Sequence, residues 1–215
     1  MDTLDAIKTR KCIRKFLDTP VEKEKIDAIL ETAVRTPSWA NSQPWEVFIV
    51  SGAPLERIKE GYEEKYLNKA PHELETPRPA AWPENAKDRQ KGLRPGIIRD
   101  CGEEAANQFV MLNQTMFSTP MIIFIGIDKM LGEWAMYDIG AYSQSLMVAA
   151  NELGLGTIPA VQLMNFPDIL RKEMEIPENI KLAIGIAIGY EDTSHDINKF
   201  VSERSPLNET VRFFD

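Results

Sequence analysis

The chain is poor in the residues that several kinds of chemistry require. Its 215 residues include only two cysteines, Cys12 and Cys101, far apart in sequence. That excludes a disulfide framework and a metal-type cysteine pair, and it points to a reducing cytosol. Only two histidines occur, His72 and His195. A histidine-based metal site and a Ser-His-Asp relay are therefore not expected, and no metal ligand is assigned. No apolar run is long enough to span a bilayer, and Met1-Asp2-Thr3-Leu4-Asp5 carries no charged-then-apolar leader, so a cytoplasmic protein is expected. Positive charge is scarce: the net charge is -8, which argues against a broad nucleic-acid surface. There is no internal repeat, no low-complexity tract and no glycine-rich dinucleotide fingerprint.

What remains is an ordinary globular composition, 43% hydrophobic and 27% charged, in a length that suits one domain over residues 1–215. Helical and extended patterns alternate loosely, giving a layered α/β or α+β domain around one mixed sheet. Residues 2–9 read as a short helix capped by Asp2, with Leu4 and Ile7 on one face. Thr19-Pro20-Val21-Glu22 has the form of a capping box, and Ile26, Ile29, Leu30, Ala33 and Val34 follow as a buried helix face. Trp45–Val50 is a near-continuous apolar strand, expected to be buried on both sides. A further helix follows Ser51-Gly52-Ala53-Pro54, with Leu55, Ile58, Tyr62 and Tyr66 on its stripe.

Residues 70–99 stand apart, with five prolines, Trp82 and a basic tract from Lys87 to Arg94. So long an irregular stretch is a cover over a site, an excursion onto a partner subunit, or a floppy insertion. Helix returns from Cys101 to Met116 and from 133 to 153, the latter ended by Gly154. Pro120–Gly126 and Leu182–Gly189 are strands, the second alternating large and small residues throughout. Pro159 argues that the Thr157–Gln162 strand stops there. The arm from about 198 to 215 has no regular period. Its Val211, Phe213 and Phe214 are expected to dock, and a partner subunit is the natural place.

Two polar stretches carry chemistry. Arg10-Lys11-Cys12-Ile13-Arg14-Lys15-Phe16 puts Arg10 and Arg14 four residues apart, on one face of a helical turn. It is either a fork for a phosphate or a solvated basic turn. Arg35-Thr36-Pro37-Ser38-Trp39-Ala40-Asn41-Ser42-Gln43-Pro44-Trp45 is stiffened by its prolines. Ser38, Asn41 and Gln43 offer groups that could read a flat polar heterocycle, although a tight helix-to-strand connection would use similar residues.

Taken in order and at these distances, Arg10-Lys11-Cys12-Ile13-Arg14, Pro37–Trp45 and Gly154-Leu155-Gly156-Thr157-Ile158-Pro159 resemble the FMN-dependent nitroreductase family. Glu203-Arg204-Ser205-Pro206-Leu207 fits the C-terminal signature of the same family. The resemblance implies a three-layer α+β fold, with a central mixed sheet flanked by helices, built as an intertwined homodimer. It implies two FMN sites at the subunit interface, reduced by NAD(P)H. Arg10, Lys11, Cys12 and Arg14 would hold the phosphate and ribityl chain, with Arg204 returning from the far end. Pro37, Ser38, Trp39 and Asn41 would come from the other subunit. Pro159, Ala160, Val161 and Gln162 would pass along the isoalloxazine, a backbone amide near Ala160 or Val161 facing N5. The flavin carries the chemistry, so no catalytic side chain is assigned. Trp39 and Trp82 are candidates for stacking on a flat acceptor such as a nitroaromatic or quinone, with ordinary burial the stronger expectation for Trp82.

Three departures from the pattern stand out. Cys12 occupies a position where serine is common, Ser202 replaces a second basic residue, and Val161 sits where acid or glycine is found. The same motifs would also serve flavin cleavage, dehalogenation or a non-enzymatic flavin store.

Overall fold

The computed structural model describes residues 2–214, and its central feature is a four-stranded sheet in the order β1-β2-β4-β3. The strands are β1 (Glu46–Ser51), β2 (Met121–Asp128), β3 (Gly156–Ala160) and β4 (Ile180–Gly189). The helices are α1 (Thr3–Thr9), α2 (Lys23–Ala33), α3 (Gly52–Leu67), α4 (Glu84–Lys91), α5 (Leu93–Gln114), α6 (Glu133–Glu152), α7 (Pro167–Met174) and α8 (Leu207–Thr210).

Alternation along β2 sets the layers. Ile122 and Phe124 face a core with Leu55, Ile58 and Tyr62 of α3, Leu112 of α5 and Leu170 of α7. Ile123, Ile125 and Ile127 face a second core with Ile26, Ile29 and Ala33 of α2 and Ile139, Tyr142 and Leu146 of α6. Helices therefore cover both faces of one sheet, the layered α+β arrangement that the sequence predicts.

Several local expectations change. Every pairing between strands is antiparallel, rather than mixed. The parallel component among the described residues is one bridge, Cys12 to Thr157, held by Ile13 N–H donating to Thr157 O at 3.0 Å. The next rung would need an N–H on Pro159, which has none, so the parallel ladder stops. β3 itself does not end at the proline. It runs on to Ala160, with Pro159 opposite Ile186, because β3 is an edge strand where a missing donor is tolerated. β1 is the other edge and buries only Val50, so its apolar run marks pairing on one side rather than burial on both faces. Residues 10–16 are not a helical turn; bridges at Cys12 and Phe16 hold them extended, so the four-residue spacing of Arg10 and Arg14 does not set a helical face.

α2 begins at Lys23 with Glu22 before it, so Thr19 caps nothing; Val21 is buried in the core instead. Leu4, Ile7 and Val34 are exposed, and Ile7 lines an open groove of about 710 Å³ between α1, α2 and α6. The 70–99 stretch is irregular only to residue 83, beyond which α4 and the first turns of α5 are helical. Trp82 is 46% exposed, against the expectation of packing. In β4 the even alternation does not map onto one face. A bulge opposite Ile125 and Gly126 leaves Ala183 without a partner, so Leu182 turns into the first core and Ile186 and Ile188 into the second.

Candidate functional site

The basic segment is held from below by a residue that the sequence did not single out. Asn198, 1% exposed, accepts from the Arg14 and Lys15 backbone N–H groups at 2.7 and 3.2 Å. Its amide nitrogen donates to Lys15 O and Asp192 O at 2.7 and 3.0 Å. An asparagine in an irregular tail gives no sequence signal for such a role. Gly156 makes the approach to β3 possible, since a Cβ there would stand 2.5 Å from Cγ1 of Ile13. Gly154 performs the expected helix stop, with a φ of 76°.

Arg14 is 7% exposed. Its guanidinium lies 5.1 Å from the centre of the Phe200 ring and 5.9 Å from that of Phe109, and Nη1 donates to Cys12 O at 3.0 Å. Burial lowers its pKa from the usual arginine value, opposed by the nearby Cys12 and Cys101 thiols. Cys101 is pushed up, first by burial, and is a neutral thiol. Arg10 lines a cavity of about 220 Å³ with Gly154, Gly156 and Thr157. Arg10 Nε and Nη1 and Arg14 Nε are buried without an acceptor. Each such donor costs about 1–3 kcal/mol unless an acceptor reaches it, and an anion is one such acceptor. The Lys11 ammonium is instead committed to Glu191 and to Asn198 O, at 2.7 and 2.6 Å.

The second stretch folds as a helical turn at Trp39–Asn41, with Ala40, Asn41 and Gln43 at φ values of 52°, 56° and 45°. Ser38 Oγ accepts from Gln43 N–H at 2.9 Å. The Trp39 N–H donates to the carboxylate of Asp138, and the Trp39 ring is 67% exposed. Pro37 lines the groove between α1, α2 and α6. This loop docks on α6, whereas the basic segment docks on β3 and residues 191–198, so the two stretches rest on different elements of the chain.

Val161 and Gln162 open a short turn where β3 ends, with Ala160 buried and Val161 exposed. Arg204 lies in the arm, its Nη1 donating to Ser202 O, Ser202 Oγ and Glu203 O within its own loop. It shares a cavity of about 740 Å³ with Arg89, Arg99 and Phe200, and the Phe200 ring also lies against the Arg14 guanidinium. Trp82 does not line the cavity that holds Arg204.

The Nitroreductase family model matches residues 7–190. Chloronitrobenzene nitroreductase of Comamonas testosteroni is 30% identical, covering 97% of this chain and 95% of that protein. A 4-nitrobenzoate reductase of Nocardioides sp. (strain LMS-CY) is 26% identical over 99% of this chain and 90% of its own length. Among solved structures, the FMN-dependent nitroreductase NfnB from Mycobacterium smegmatis, in complex with NADPH, superposes with a TM-score of 0.90 at 26% identity, covering 99% of this chain and 97% of that one.

Proposed function

Because the chain belongs to the nitroreductase family, we propose that it passes electrons from NAD(P)H to a flat, electron-poor acceptor by ping-pong exchange on FMN. The chain is an FMN-dependent oxidoreductase of that family; the acceptor, a nitroaromatic or quinone, and the order of the half-reactions are the proposal. The carrying observation is the set of buried guanidinium donors on Arg10 and Arg14 with no acceptor. A phosphate offers the oxygens they lack. FMN, when bound, supplies the redox chemistry, and the chain supplies orientation, charge and shielding from water.

We assign Arg10, Lys11, Cys12 and Arg14 to the phosphate and ribityl chain, with Arg204 arriving on the arm. Pro37, Ser38, Trp39 and Asn41 are assigned to the ring from a partner subunit, and Pro159 to Gln162 to its edge, with a backbone N–H at Ala160 or Val161 toward N5. A cavity of about 220 Å³ beside Arg10 is below the ~300–1,000 Å³ typical of ligand pockets, which supports a site completed by a second copy of the chain. The bare apolar residues Leu4, Ile7, Val34, Phe213 and Phe214 support the same homodimer. The whole chain is then one flavin-binding domain, with about 70–99 as a cover and 198–215 as the embracing arm. No described helix is long and apolar enough to cross a membrane, and a cytoplasmic location is part of the proposal.

The test is a visible spectrum of the purified protein before and after anaerobic NADH or NADPH. A yellow protein that bleaches, then recovers on adding a nitroaromatic or quinone, is the expected result. A yellow protein that does not bleach would turn the reading to flavin cleavage, dehalogenation or storage. A colourless protein that takes up no FMN would end it.

A further inference from the structure

We propose that Asp138 is a positioning residue, the internal anchor that holds the 36–45 loop in the shape that receives the flavin ring. The inference rests on the FMN reading above and adds a residue that none of its motifs contains. α6 presents Trp134, Asp138, Tyr142 and Ser145 at spacings of four, four and three, so they descend one face of the helix. Each takes one contact from the loop. The Trp39 ring lies 6.2 Å from that of Trp134. The Trp39 N–H donates to Oδ1 and Oδ2 of Asp138 at 3.3 and 3.2 Å. Trp45 stacks on Tyr142 at 4.7 Å, and Thr36 Oγ1 bonds Ser145 Oγ at 2.8 Å.

Asp138 is the charged rung of this ladder and is 2% exposed. Among the described residues it has no basic partner. A buried carboxylate without a cation is unfavourable for folding, so stability alone would be better served by a neutral side chain there. What the side chain provides is an acceptor for a single backbone N–H, which both of its oxygens face and an aliphatic residue could not offer. That bond sits immediately before Ala40, whose left-handed backbone is costly for an alanine and persists where the surroundings hold it. Fixing the Ser38–Trp39 peptide fixes where Ser38 and Asn41 point, and these are the groups assigned to the ring.

The experiment titrates FMN into the full-length apoprotein by flavin fluorescence and records the apoprotein's thermal midpoint alongside. Asp138→Ala is expected to weaken FMN binding about tenfold, while Asp138→Asn, which keeps an acceptor oxygen, recovers most of it. A purely structural role would lower the midpoint and leave the dissociation constant of the folded protein unchanged; a value within about twofold of wild type overturns the inference. If Asp138→Ala does not fold, Trp39→Pro is compared with Trp39→Ala. Both remove the ring, but only proline removes the N–H. Trp39→Pro should then bind about tenfold more weakly than Trp39→Ala, and equal binding overturns the inference. Wild-type protein that takes up no FMN would instead overturn the flavin reading itself, and this inference with it.

Discussion

Arg14 and Arg204 are assigned to one phosphate, yet the chain treats them in opposite ways. Arg14 is buried, flanked by Phe109 and Phe200 and set by Asn198 beneath its backbone. Arg204 is exposed and folds back on Ser202 and Glu203. The first is preorganised within one chain, so little ordering remains when a ligand arrives. The second still has to be placed, and so does the rest of its arm, where Phe213 and Phe214 are 86% and 91% exposed. Half of the proposed site is therefore a property of the folded chain, and in the proposed dimer the other half is placed by assembly.

The sharpest way to break that comparison is to remove each cation. Arg14→Ala should weaken FMN binding about 100-fold and Arg204→Ala about tenfold, with flavin lost altogether in the double variant, read by fluorescence titration. Equal single effects would erase the distinction. Removing the support comes next. Asn198→Ala deletes four hydrogen bonds and should lower stability by about 3 kcal/mol in urea unfolding. An effect under ~0.5 kcal/mol would mean that the segment holds itself. On the arm, Phe213→Ser with Phe214→Ser should raise the dissociation constant of the proposed dimer at least about tenfold in sedimentation, with the helical signal kept, since burying each ring there would contribute about 1.5–3 kcal/mol.

A smaller effect is expected from acid. Asp192, which closes the Asn198 cradle, has its pKa lowered first by the Ser194 hydroxyl bond. Its folded value lies below the unfolded one, so its contribution is complete above the unfolded value near ~4 and is lost as pH falls through the folded value. Asp192→Asn should flatten that acid-side decline in the thermal midpoint and leave the arm's dimer contact untouched. The smallest effect is at exposed Trp82. Trp82→Ala should move stability by under ~0.5 kcal/mol and leave FMN binding unchanged, with any change confined to the acceptor KM.

What the sequence made legible was local. The apolar stripes of α2, α3 and α6 and the β2 run mark both cores because their periods are set by helix and strand geometry alone. The basic segment and the proline-bracketed loop stand out for the same reason: their residue types are unusual in short windows. The supports were not legible. Asn198 meets Arg14 across more than 180 residues, and Asp138 reads as one acid in the apolar stretch Trp134–Tyr142; only the fold shows that a backbone N–H ends there. The four-residue spacing of Arg10 and Arg14 fits period two as well as a helical turn, and the choice fell to the bridge with Thr157. Trp82 shows the converse, a large apolar residue left outside because its proline-rich surroundings build no core.

The Pro-rich segment also has a consequence for solubility. β3 accompanies β4 only from Gly185 to Gly189, so beyond Gly185 that side of β4 has no strand beside it. Glu75 and Thr76 stand in its place: Leu182 N–H donates to Glu75 at 2.7 Å, and the Thr76 hydroxyl donates to Leu182 O at 2.9 Å. Arg171 clamps Glu75 from the other side at 2.6 Å. Two side chains and an ion pair thus occupy hydrogen-bonding positions that would otherwise be a template for a stray strand. The segment thereby blunts the open end of an isoleucine-rich ribbon.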